Sequence, residues 1–117
     1  MYKIGTVAEA KKLIGKVPKE VYLEALRFVG ILDETYGKSR NVDKDDGGLV
    51  FIAENRKDLE YFSSRYFDLK NDFHESIHAV PTEKTLYLNL FFICNNEYGI
   101  NLFIPASLAP EISLKQE

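Results

Sequence analysis

The chain has 117 residues, a formal net charge of −3, 45% hydrophobic residues and one cysteine. These numbers exclude a disordered chain, which lacks apolar residues to bury, and an internal disulfide framework. They also exclude a membrane-spanning helix, because no apolar run exceeds five residues where about 20 are needed. An acidic protein is poorly equipped to neutralise phosphates, so nucleic acid is not an expected partner. One α+β domain over residues 1–117 is expected, placed in the cytoplasm. The lone Cys94 suits a reducing compartment, and Met1 to Thr6 leads into a charged segment rather than the apolar run of a secretory signal.

Thr6 followed by Glu9 predicts a capping box and a first helix from Val7, with Val7, Leu13 and Ile14 inward and Gly15 as its stop. Lys3, Lys11, Lys12, Lys16 and Lys19 crowd this start. They suit the solvated face of a short helix, with a phosphate-binding patch as the alternative. Pro18 fits the first position of a second helix. In it Val21, Tyr22, Ala25, Leu26, Val29 and Leu32 recur at helical spacing, while Glu20, Glu24, Arg27, Asp33 and Glu34 cover the outside.

Residues 38–48 are polar and end in two glycines, which predicts a loop. Leu49 to Ala53 is continuously apolar and predicts a strand buried on both faces. Asn55 is placed to cap a third helix, with Asp58 at its third position and Leu59, Phe62 and Tyr66 as its buried stripe. Leu86 to Cys94 is apolar on both faces and predicts a central strand. Asn95 to Gly99 then turns into a partner strand, Ile100 to Ile104. Pro105 and Pro110 are expected to end regular structure. The picture is an α+β fold, with two N-terminal helices and a third helix on an antiparallel or mixed sheet of about three to five strands closing in a C-terminal hairpin. Its expected core is Leu26, Val29, Leu32, Val50, Ile52, Leu59, Phe62, Leu88, Leu90, Phe92, Leu102 and Ile104.

Two short segments carry candidate chemistry. His74-Glu75-Ser76-Ile77-His78 spells H-E-x-x-H. On a helix, residues four apart share a face, so two imidazoles can grip one ion while the intervening glutamate acts as base on a metal-bound water. The segment resembles the signature of the zincin metallopeptidases, and Asn96 to Asn101 loosely resembles the second motif of the thermolysin-like branch. The resemblance implies zinc held by His74, His78 and Glu97, with Glu75 as the catalytic base. The same residues also read otherwise. Asp72 and Glu75 form a capping box for a helix that Pro81 would stop within about two turns. Alternatively, Phe73, Glu75, Ile77 and Ala79 alternate with His74, Ser76 and His78 as in a strand. Histidines four apart would then stand about 13 Å apart.

Asp43, Asp45, Gly48 and Glu54 fall at positions one, three, six and twelve of a segment that resembles an EF-hand loop, which implies calcium. Gly47 stands where a side-chain ligand is usual, and Leu49 to Ala53 exits as strand rather than helix. Cys94, in an apolar strand without basic neighbours, is expected to be an inert thiol. No cofactor is expected outside these two metals. The leading expectation is a non-catalytic intracellular accessory or interaction protein. It would bind a protein partner, or a second copy of itself, through the acidic loop 41–48 or a sheet edge. A minimal zinc hydrolase and a calcium-binding loop protein are the alternatives.

Overall fold

The computed structural model describes residues 1–36, 50–65, 76–94 and 98–111. β1 (Tyr2–Ile4) leads into α1 (Val7–Lys11), which begins at the expected capping box. The Thr6 hydroxyl accepts the Glu9 N–H at 3.1 Å, and the Glu9 carboxylate accepts the N–H groups of Thr6 and Gly5 at 3.2 and 2.7 Å. The helix ends sooner than its spacing predicts. The N–H groups of Lys12 and Leu13 turn to carbonyls three residues back, on Glu9 and Ala10, which tightens the last turn. Leu13 is thereby buried, whereas Ile14, expected inside, is 67% exposed. Gly15 follows with φ at 81°, a left-handed angle that costs glycine nothing because it has no Cβ.

α2 (Lys19–Tyr36) starts behind Pro18, whose carbonyl accepts the Tyr22 N–H at 3.0 Å. Its buried stripe is Val21, Ala25 and Val29, small residues one turn apart that let the helix lie close to the sheet. Tyr22 and Leu26 pack half-buried beside them. β2 (Val50–Ile52) ends one residue before the expected Ala53 and is buried on both faces, as its apolar run predicts; Leu49 lies outside the described residues. Asn55 caps α3 (Arg56–Arg65) by accepting the Asp58 N–H at 2.9 Å. Asp58 then accepts the Glu54 N–H at 2.9 Å and the terminal ammonium of Met1 at 3.1 Å, which ties β1 to this helix start.

β3 (Ser76–Pro81) and β4 (Leu86–Cys94) form a hairpin closed by Thr82 and Thr85, whose backbone and hydroxyl groups bond to each other across Glu83 and Lys84. β5 (Tyr98–Pro105) returns beside β4, and Ala106–Glu111 forms a short 3-10 helix. Pro105 ends its strand as expected. Pro110 lies inside that 3-10 helix rather than ending regular structure.

The five strands lie in the order β1-β2-β5-β4-β3, with β2 and β5 parallel and every other pair antiparallel. The fold is therefore α+β, with three helices on a mixed sheet. Alternation along the strands divides the core in two. Ile4, Val50, Ile52, Val80, Tyr87 and Phe103 face α1 and α2. Phe51, Ala53, Leu90, Leu102 and Ile104 face α3, where the Phe51 and Phe62 rings meet edge-to-face with centroids 5.3 Å apart. Of the expected core, Leu26 and Leu88 are half-buried, and the side chains of Leu32 and Phe92 lie outside the described residues.

Candidate functional site

His78 stands on β3, exposed, directly across from Asn89 of β4. Ser76 and Ile77 precede it in the same strand. The second half of the H-E-x-x-H segment is therefore extended, and no single helical face carries the whole motif. His74, Glu75 and Glu97 lie outside the described residues, as do Asp43 and Asp45 of the calcium-like segment. Glu54 is described; it is exposed between β2 and α3 and gives its N–H to Asp58. Among the described residues no three of His, Cys, Asp or Glu gather to hold a metal ion. No described helix is long and apolar enough to cross a membrane. The five N-terminal lysines are all exposed. Lys16 and Lys19 share a shallow groove of about 280 Å³ with Lys84, Glu20 and Glu83, so its charges are mixed.

The larger concavity, about 620 Å³, lies where α2 passes over the β3 end of the sheet. Two facts of sequence shape it. β3 offers His78 and Val80 to this side, and only Val80 is buried. α2 brings side chains of unequal length one turn apart, Glu20 with Leu23 and Glu24, then Arg27 with Phe28. Leu23 is 48% exposed and forms an apolar wall. Arg27 is held twice, by the Glu24 carboxylate at 2.9 Å and by the face of the Phe28 ring at 4.6 Å. Phe28 in turn packs on Phe103 of β5, with centroids 6.2 Å apart. Among the described residues Glu20 has no ion-pair partner.

The floor of this groove is Asn89, which is 2% exposed. Its Nδ2 donates to Oδ1 of Asn101, at 3.3 Å. Asn89 opposes Phe103 and Asn101 opposes Phe91, so the two amides meet on the diagonal between β4 and β5. Each amide carries two donors and an acceptor oxygen. One bond between them leaves the Asn89 oxygen without a donor among the described residues. A buried polar atom in that state costs about 1–3 kcal/mol, and native proteins carry few of them.

β3 is also an edge of the sheet. It pairs with β4 on one side, and among the described residues no strand pairs with the other. Native edges are commonly blunted by charge, proline or shortness. β3 runs for six residues, carries His78 as its one ionisable group, and has its proline only at the final position. The opposite edge, β1, is three residues long. Further along the α2 face of the sheet, burial raises the Tyr87 phenol above its usual range, and the Glu54 carboxylate adds to the shift.

Sequence reasoning singled out His78 and missed Asn89 and Asn101. A signal for them is present: asparagine is depleted in strands, yet each interrupts an otherwise apolar central strand. No family model, curated protein or solved structure matches the chain.

Proposed function

We propose that this chain is a non-catalytic interaction protein of the cytoplasm, which works by accepting an extended segment of another polypeptide along β3. The observation that carries this reading is the six-residue edge strand with one side unpaired among the described residues, lying beside a groove under α2. An added strand satisfies backbone groups at such an edge, and neighbouring pockets take its alternate side chains. The segment belongs to a partner protein or to a second copy of the chain, whose β3 would pair across a twofold axis. The single cysteine suits a reducing compartment.

Amide exchange tests the reading. With a β-prone peptide in excess, or at rising protein concentration followed by sedimentation, amides of β3 that face away from β4 should gain protection. Ala79, exposed on this strand, gives the control: Ala79→Lys places a charge on the edge and should weaken the association without altering the fold. Unchanged exchange across residues 76–81 under both conditions would remove β3 as the working surface.

A further inference from the structure

We infer that the groove between α2 and β3 is the specificity pocket of this docking edge, and that it takes a lysine side chain from an extended segment of a partner protein, since β3 of a second copy carries no lysine. The inference rests on the strand-docking reading and adds the chemistry of what is bound. An added strand turns alternate side chains toward α2, into the concavity that His78 and Val80 border. At its floor lies Asn89, almost fully buried, and its side-chain oxygen accepts from no described residue, which leaves room for a donor. On its wall two carboxylates stand against one guanidinium, and that guanidinium is held by Glu24 and Phe28. Glu20 is left as the carboxylate without an ion-pair partner among the described residues. Leu23 and Val80 supply apolar surface between mouth and floor.

A lysine fits each of these features. Its aliphatic stem lies along apolar walls while the charged head seeks oxygen. Its ammonium carries three donors and no acceptor, which suits a carboxylate and an amide oxygen together. A glutamate in the same place would meet Glu20 as a like charge and bring no donor to Asn89.

The test uses capped peptides, Thr-Val-Thr-Xaa-Thr-Val-Thr, with Lys, Leu or Glu at the central position. They are titrated into the 117-residue chain and followed by backbone and Asn side-chain amide shifts. The lysine peptide should bind about tenfold tighter than the glutamate peptide, and only the lysine peptide should move the Asn89 side-chain amide strongly. Glu20→Gln should collapse that gap. Salt raised to about 1 M, where the screening length is about 3 Å, should narrow it too. Equal affinities with β3 shifts in all three titrations would overturn the lysine pocket and leave strand docking standing. If no peptide moves β3, strand docking falls, and n-butylammonium against butyrate then judges the pocket alone. Asn89 shifts with the ammonium only would uphold it as an ammonium site, and no shift with either would overturn it.

Discussion

The two faces of the sheet are built by the same strands, yet they are filled differently. The α3 face closes on aromatic and aliphatic groups, with Phe51, Phe62, Leu90, Leu102 and Ile104 at or near zero exposure. The α1/α2 face is as well packed near β1 and β2, where Ile4, Val50 and Ile52 meet Val21 and Ala25. Toward β3 it changes character: Asn89 and Asn101 take core positions, Tyr87 is buried, and the packing opens into a groove. Apolar contact alone would have filled that corner. A buried amide pair beside a cavity departs from the apolar packing of the rest of the core, which is why the proposed docking pocket is placed there.

The contrast can be broken by substitution, and the largest effect belongs to the closed face. Phe62→Ala removes a fully buried ring that packs edge-on against Phe51. It should cost about 3–5 kcal/mol in a urea melt. A loss under about 1 kcal/mol would mean that the α3 face collapses around the gap and is not tightly packed. On the other face Asn89→Leu strands the Asn101 amide and should cost about 1–3 kcal/mol. Replacing Asn89 and Asn101 together by leucine should restore most of that loss, since both partners then go. A double variant as unstable as the single one would show that the amides hold the fold rather than serve the groove.

Smaller effects sharpen the comparison. Thr6→Ala breaks the capping box that sets α1 against the α1/α2 core. It should lower stability by roughly 1 kcal/mol with no change at the groove. Tyr87 gives a pH signature confined to the open face. Its folded pKa lies above the unfolded value of about 10, so its contribution is complete below that pH and declines as pH rises through the folded pKa. Thermal melts should therefore weaken on the alkaline side, and Tyr87→Phe should flatten that decline; an identical profile in the variant would acquit the phenol. Last, Glu24→Ala removes a solvent-facing ion pair with Arg27 and should shift stability by less than about 0.5 kcal/mol. A larger change would show that Arg27 props the groove wall.

Local chemistry was enough to place much of this protein. The Thr6–Glu9 box, the Asn55 cap, the long periodic α2, the doubly apolar β2 and the β4–β5 pair all follow from interactions within a few residues or from strict alternation, and the structure forms each of them. Where neighbours decide, sequence falls short. The helical period of α1 carries Ile14 inward, but tightened turns after Lys11 leave it in solvent. β1 is three residues long and gains its identity only by pairing with β2. β3 is legible as helix or strand until its ladder with β4 settles Ser76–Pro81, and the turn at Glu83–Lys84 offers no glycine to announce a hairpin. The groove is the extreme case. Its walls come from α2 and β3 and its floor from β4, and α2 ends dozens of residues before the β3–β4 hairpin begins. An asparagine in an apolar strand signals that something polar is wanted there. Only the packing of distant elements decides that Asn89 meets Asn101 on one side and a cavity on the other, because side-chain direction is local whereas the space in front of a side chain is not.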